Sequence, residues 1–93
     1  MKKFIILIPI YNDWKSLTKL LSNIGESIKN IKGAQFDCVI VNDCSTIINS
    51  KIRIPSQIKS AKIIHMSKNK GHARCIAFGI KHLSESSDFD YLI

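Results

Sequence analysis

The chain has 93 residues, enough for one small domain. Hydrophobic residues make up 45% of it and charged residues 23%, so the composition excludes a disordered chain and predicts a packed core. Fourteen Lys and Arg against seven Asp and Glu give a net charge of +7 with His neutral. That surplus favours anionic partners such as nucleotides, nucleic acid or an acidic membrane face. The basic residues are scattered and form no long run, which is typical of a solvated surface.

The cysteines and the amino terminus indicate the cellular compartment. Cys38, Cys44 and Cys75 are odd in number and show no Cys-x-x-Cys spacing, which argues against a disulfide framework and a zinc site. The first apolar run is short, contains Pro9 and is followed by Tyr-Asn-Asp-Trp, so it does not resemble an export signal. No stretch approaches the roughly 20 apolar residues of a membrane span. We therefore expect reduced thiols and a cytoplasmic location.

The first half of the chain alternates apolar runs with a helical pattern. Residues 4–10 are almost continuously apolar, which is typical of a strand buried on both faces. An Asn or Asp at 12–13 can cap the following helix, and Gly33 is the expected stop. Residues 36–41 predict a second strand. The apolar face of the helix steps by three or four residues through Leu17, Leu20, Leu21, Ile24, Ile28 and Ile31.

The second half continues the alternation. Residues 47–60, with a break at Pro55, predict an irregular connection or a short turn of helix. Residues 61–66 predict a short third strand. Gly79 inside the next helix costs about 1 kcal/mol relative to Ala, so we expect a close packing contact there. Residues 89–93 begin a fourth strand. The whole order predicts an α/β fold with a mostly parallel, Rossmann-like sheet flanked by helices. The apolar stripe of the second helix is Ala73, Ile76, Ala77, Ile80 and Leu83.

Three polar segments follow apolar runs where the carboxyl ends of parallel strands would meet, the edge at which ligands bind in such sheets. The Tyr-Asn-Asp of residues 11–13 either faces a nucleoside or only caps a helix. Asp43 either accepts a hydrogen bond from a base or ribose, or forms an Asx turn with the backbone of Ser45. Residues 69–72 open a helix whose amides suit an anion, and Gly71 would let a ligand approach, although a plain glycine turn is the alternative.

Other signatures are absent from the sequence. There is no Gly-x-Gly-x-x-Gly after the first strand, no Gly-Lys-Ser/Thr phosphate loop and no Gly-x-Ser-x-Gly elbow. Two further classes stay open. A small basic α/β module could bind nucleotide or nucleic acid with steep salt dependence, against which the scattered charge counts. A receiver-like or flavodoxin-like regulatory domain would need an acidic cluster that Asp13 and Asp43 imitate only faintly.

In order and spacing, the three segments resemble the nucleotide-binding half of family 2 glycosyltransferases, which adopt the GT-A fold. The resemblance rests on Ile-Pro-x-Tyr-Asn at 8–12, Val-Asn-Asp-Cys-Ser-Thr at 41–46, and the Asn-x-Gly segment with its later Gly-Ile pair at 69–80. The last segment looks most like the polyprenyl-phosphate sugar transferase branch, which includes dolichol-phosphate mannose synthase. Asn42 occupies a position at which the family more often has Asp. Cys44 stands for Gly or Asn, so a left-handed backbone there would be strained.

The resemblance implies that residues 1–93 are a single partial domain, the N-terminal portion of a GT-A fold truncated before its metal motif and catalytic base. It implies no catalytic and no metal-binding residue in this chain. It implies that a nucleoside-diphosphate sugar, linked to UDP or GDP, is bound by Pro9, Tyr11, Asn12, Asp13, Asp43, Lys70 and Gly71.

For the full-length enzyme, the resemblance implies an inverting transfer to a polyprenyl phosphate, a glycan or another acceptor. Mg²⁺ or Mn²⁺, held by ligands outside this chain, would neutralise the leaving diphosphate. We expect the isolated chain to bind nucleotide weakly, to transfer no sugar and to have no specific nucleic-acid partner. The full-length protein is expected in the cytoplasm, with the inner face of the membrane as a candidate site of peripheral association.

Overall fold

The computed structural model describes residues 1–46, 52–86 and 88–93. Within these ranges, four parallel strands form a sheet, and helices cover it. This confirms the predicted α/β class and is consistent with an N-terminal GT-A portion. Part of the connection predicted over 47–60 lies outside the described residues, at 47–51. Along the chain, the elements are β1 (Lys2–Ile10), α1 (Trp14–Ile28), β2 (Ala34–Asn42), β3 (Ser60–His65), α2 (His72–Ser86) and β4 (Tyr91–Leu92).

The spatial order of the strands is β3-β2-β1-β4, which places β1 and β2 at the centre. β1 pairs with β2 along its whole length, from Lys2 opposite Ala34 to Ile10 opposite Asn42. Because the register brings the last residues of both strands level, the loops that follow them begin side by side. In the part of the chain that the structure describes, no helix has the length and apolar character needed to cross a bilayer.

The two faces of β1 belong to different hydrophobic cores. Ile8 and Ile10 pack with Trp14 and other buried residues of α1. Ile5 packs on the opposite face with Leu83 of α2. Since successive side chains of a strand point to opposite faces, burial on both sides explains why β1 is apolar almost throughout.

Helix α1 begins as predicted and ends earlier than predicted. Asp13 is its N-cap, and a side-chain oxygen of Asp13 accepts from the amide of Ser16 at 3.4 Å. The helix ends at Ile28, and Gly33 (φ +77°) lies in the connection to β2. Ile31 was predicted on the apolar face, but it lies beyond the helix and is exposed. The apolar repeat continues beyond the end of the helix, because the spacing of apolar residues does not indicate where the backbone leaves the helical conformation.

Helix α2 buries a different face from the one predicted. Cys75, Gly79 and Leu83 are buried, whereas Ile76 is 39% and Ile80 is 45% exposed. A Cβ atom at Gly79 would lie 2.6 Å from Leu7 Cδ1, so any larger residue there would require the Leu7 side chain to move. The close contact predicted at Gly79 is confirmed. The small residues that permit it displace the larger apolar stripe toward the surface.

Gly25 of α1 provides a test of packing. A Cβ atom at this buried position would lie 2.8 Å from Pro55 Cβ, in a rigid ring that cannot rotate away. We predict that Gly25→Ala lowers the free energy of unfolding by about 1 kcal/mol. Overpacking of about 1–3 kcal/mol outweighs the gain of roughly 1 kcal/mol in helix propensity. Urea unfolding followed by circular dichroism measures this. Ser22→Ala, at an exposed position of the same helix, is the control and should be neutral or slightly stabilising. A Gly25→Ala chain more stable than the wild type would contradict the packing argument.

Candidate functional site

Hydrogen bonds join the loops that follow β1 and β2. The backbone amide of Asn12 donates to Ser45 Oγ at 2.9 Å, and its side-chain amide donates to Thr46 Oγ1 at 3.0 Å. These bonds cross between segments more than thirty residues apart in sequence. The predicted site residue Asn12 therefore holds its own loop against the end of β2.

Asn42, the last residue of β2, organises the loop on its own side. The buried Oδ1 of Asn42 accepts from the backbone amide of Ser45 at 3.1 Å and from the Ser45 hydroxyl. The sequence offered an Asx turn between Asp43 and the Ser45 amide as an alternative role for Asp43, but that amide instead donates to Asn42, three residues before it. Since Oδ1 is an acceptor, Nδ2 is the donor that faces His65 Nδ1 at 3.0 Å.

Asp43 accepts hydrogen bonds from the third polar segment, residues 69–72, which leads into α2. Its side chain is only 1% exposed. The amide of Lys70 donates to Oδ1 at 2.6 Å, and the amide of Gly71 donates to Oδ2 at 2.8 Å. The thiol of Cys75, in the first turn of α2, lies near enough to this carboxylate to affect its pKa. The three predicted segments thus meet at the carboxyl edge of the sheet, as the sequence led us to expect.

Two residues of these loops adopt left-handed backbone conformations. Asn12 has φ +61° and Cys44 has φ +57°. Asn tolerates this region better than most residues, whereas for Cys the conformation costs roughly 1–2 kcal/mol. Strain was predicted at Cys44 if its backbone took this conformation, and the structure shows that it does. The bonds made by Asn42 and Ser45 hold the loop in place despite the cost.

The pKa values at this junction are shifted. Chiefly through the amide of Lys70, and also through the thiol of Cys75 and the amide of Gly71, the pKa of Asp43 is held below its ordinary value of 3.8 despite burial. Burial raises the pKa of the Cys75 thiol to about 11, and the hydrogen bond and charge of Asp43 add to the rise. At neutral pH the pair is therefore an ionised carboxylate and a protonated thiol.

A cleft of about 230 Å³ opens beside the end of β1. Pro9, Tyr11 and Asp13 line it, and Tyr11 is 40% exposed, so its ring is available to a ligand. His72, which follows Gly71, lines the same cleft. Leu20 was predicted to lie on the buried face of α1, but it is 43% exposed and forms part of the wall of the cleft. The cleft therefore combines an aromatic ring, a carboxylate and an imidazole on an apolar base.

The other predicted residues have different surroundings. Asn12, Asp43, Lys70 and Gly71 do not line this cleft, although Gly71 adjoins its wall at His72. Lys70 and Gly71 are exposed on the turn before α2. Gly71 has φ +84°, which explains the need for glycine there. The structure thus brings all seven residues to one edge of the sheet, with Asp43 beneath the surface.

Sequence reasoning missed three residues that build the site. Ser45 and Thr46 accept the hydrogen bonds from Asn12, and the Cys75 thiol contributes to the pKa shift of Asp43. The signal for the first two was their place in the Val-Asn-Asp-Cys-Ser-Thr segment. For Cys75, the signal was its position one helical turn after Gly71, where its own amide donates to the Gly71 carbonyl at 3.1 Å.

The resemblance implies a divalent metal in the full-length enzyme. Among residues 1–46, 52–86 and 88–93, no three His, Cys, Asp or Glu side chains are grouped so that they could hold a metal ion.

The fold and the joined loops define an all-parallel, Rossmann-like α/β protein whose polar site lies at the carboxyl edge of the sheet. This chain belongs to glycosyl transferase family 2, because the sequence model of the family described as Glycosyl transferase family 2 matches residues 5–89. The match includes all three segments that carried the resemblance.

Similar proteins agree with this assignment. The chain is 31% identical over 81 residues to the poly(ribitol-phosphate) beta-N-acetylglucosaminyltransferase TarS of Staphylococcus aureus (strain Mu50), covering 83% of this chain and 14% of TarS. It is 32% identical over 93 residues to the uncharacterized protein MJ0544 of Methanocaldococcus jannaschii, covering 96% of this chain and 37% of that protein. The chain thus spans well under half the length of these curated relatives. No solved structure matches it significantly.

The lowered pKa of Asp43 makes stability depend on pH in the acid range. A carboxyl whose pKa is lower in the folded chain stabilises the fold above its unfolded pKa, and this contribution is lost as the pH falls through the folded value. We predict that the difference in free energy of unfolding between the wild type and Asp43→Asn is constant above about pH 5 and shrinks below about pH 4. Urea unfolding from pH 7 to pH 3 tests this. Parallel curves for the two chains over that range would contradict it.

Proposed function

We propose that this chain forms the donor-binding part of a glycosyltransferase whose donor is a sugar linked to UDP or GDP. Its membership of glycosyl transferase family 2 supports glycosyltransferase activity and a nucleotide-sugar donor in general. The observation that carries the proposal is the junction of the three loops, made by the bonds from Asn12 to Ser45 and from Lys70 and Gly71 to Asp43. A ligand at this edge meets a site that is ordered before it arrives.

The cleft beside β1 is the proposed binding site for the nucleoside. The exposed ring of Tyr11 stacks on the base or ribose, with Pro9 as a wall and Asp13 within reach of hydroxyl groups. The diphosphate lies toward the start of α2. There the ammonium group of Lys70 supplies positive charge, and the absence of a side chain at Gly71 permits close approach.

In the whole protein, the sugar carbon would bond to an acceptor oxygen while its bond to the diphosphate breaks, with inversion at that carbon. If the acceptor oxygen is a hydroxyl, a carboxylate would take its proton, whereas an ionised phosphate oxygen needs no such base. Mg²⁺ or Mn²⁺ would neutralise the leaving diphosphate. The acceptor is proposed to be a polyprenyl phosphate, a glycan or a polyol-phosphate polymer of the kind in the name of TarS. We propose a cytoplasmic location at the inner membrane face, and no transfer by this chain alone.

The alternative of a nucleic-acid-binding module rests on the net charge of +7. No observation within the described residues favours it over the nucleotide site, because the joined loops and the cleft offer a compact pocket and not an extended groove. Binding of RNA or DNA with a steep salt dependence would support this alternative.

Calorimetric titration of the chain with UDP and GDP tests the proposal. We predict binding of at least one of them without added metal, and a loss of about tenfold in affinity for Tyr11→Ala, since one stacked ring contributes roughly 1.4 kcal/mol. Tyr91→Ala is the matched control, because Tyr91 is an exposed Tyr of β4 stacked on Phe4, away from the cleft. It should bind as the wild type does. Absence of binding at millimolar nucleotide, or equal losses in the two variants, would refute the proposed site.

A further inference from the structure

The hydroxyl of Ser45 connects the end of β2 to the loop that carries Tyr11. It donates to Asn42 Oδ1, and it accepts the backbone amide of Asn12 at 2.9 Å. A hydroxyl has one proton to donate, so its donation to Asn42 leaves a lone pair for the Asn12 amide. The backbone amide of Ser45 also donates to Asn42 Oδ1, at 3.1 Å, so that Asn42 holds Ser45 at both its backbone and its side chain.

The amide that Ser45 accepts belongs to the peptide group between Tyr11 and Asn12. Because a peptide group is planar, a hydrogen bond to its N–H orients the whole group, including the carbonyl of Tyr11. Asn12 then adopts the left-handed conformation, with φ +61°, and Asp13 caps α1 directly after it. The backbone is held by β1 before Tyr11 and by this peptide after it, which restricts the directions in which the exposed ring can point.

Neither Ser45 nor Asn42 lines the cleft in which the nucleoside is proposed to bind. Asn42 is 7% exposed, and the Ser45 hydroxyl is engaged by both Asn42 and Asn12. Tyr11, in contrast, lines the cleft and is 40% exposed. The two residues at the end of β2 therefore influence a nucleoside in the cleft through the loop that they hold.

We propose that Ser45 is a positioning residue whose hydroxyl, oriented by Asn42, holds the Tyr11–Asn12 peptide so that the Tyr11 ring is placed to stack on the nucleoside. This inference rests on the proposed function. Without the hydroxyl, the ring samples other directions, and a nucleoside that binds must order it at a cost in entropy. Ser45 therefore contributes to affinity only when residue 11 has a ring to position.

A double-mutant cycle separates positioning from direct contact with the ligand. Ser45→Ala, Tyr11→Ala and the double variant are titrated calorimetrically with whichever of UDP and GDP binds the wild type. We expect Ser45→Ala to weaken binding about fivefold, which corresponds to roughly 1 kcal/mol for one hydrogen bond. In the Tyr11→Ala background, the same change should weaken it by less than about twofold. Wild-type affinity in Ser45→Ala, or equal losses in the two backgrounds, would overturn the proposal.

Two further variants distinguish positioning from a general loss of stability. Ser45→Thr keeps a hydroxyl at this position and should restore most of the affinity that Ser45→Ala loses. Ser60→Ala makes the same chemical change at the amino end of β3, where the Ser60 hydroxyl donates to Asp37 at 3.0 Å in a similarly half-buried bond. It should leave nucleotide affinity unchanged. A Ser45→Thr chain as weak as Ser45→Ala, or an equal loss in Ser60→Ala, would contradict the proposed role.

Hydrogen exchange of the Asn12 amide tests the same contacts without a nucleotide. We expect this amide to exchange about fivefold faster in Ser45→Ala and in Asn42→Ala than in the wild type, and at the wild-type rate in Ser60→Ala. Unchanged exchange in Ser45→Ala would show that the hydroxyl does not hold the peptide, which refutes the proposal. If Ser45→Ala does not fold, Ser45→Cys replaces it in both experiments, because a thiol of similar size is a weak acceptor.

The two experiments separate this inference from the proposed function. If the wild type binds neither UDP nor GDP, the proposed function fails, and a positioning role in nucleotide binding fails with it. The exchange rates then still decide whether Ser45 holds the Tyr11–Asn12 peptide. If the wild type binds a nucleotide and the losses in the cycle are equal, the proposed function stands and the positioning role is refuted.

Discussion

The carboxylate of Asp43 and the two amides that donate to it, those of Lys70 and Gly71, form the interaction on which the site depends. It joins the end of a central strand to the start of a helix 27 residues further along the chain. Asn42 makes the complementary connection on the other side, through Ser45 to Asn12. Two consecutive side chains at the end of β2 therefore hold both neighbouring loops, and neither loop can move far without breaking a buried hydrogen bond.

Helix α2 packs closely on the sheet beside this junction. Cys75 is fully buried, and Gly79, one turn later, lies close to the side chain of Leu7 on β1. Small residues thus occupy part of the inner face of the helix. Ile76 and Ile80, which are larger, are exposed.

Loops that the chain itself joins by hydrogen bonds have a consequence for any ligand that binds at this edge. Loops that are already fixed lose little conformational entropy when a ligand arrives, so more of the contact energy appears as affinity. The left-handed backbone of Cys44 is part of the cost of that order. Glycosyl transferase family 2 membership and the cleft lined by Tyr11 point to the same edge of the sheet.

From the sequence alone, the order of strands and helices, the parallel sheet, the family and the edge that carries the site were all predictable, because apolar periodicity and short motifs are local properties of the chain. The tertiary structure decided which face of α2 is buried and which groups Asp43 and Asn42 bond. Ile76 and Cys75 are both apolar, and only the distance to β1 selects between them. Hydrogen bonds between residues far apart in sequence depend on what the fold places opposite each side chain, which no local pattern encodes.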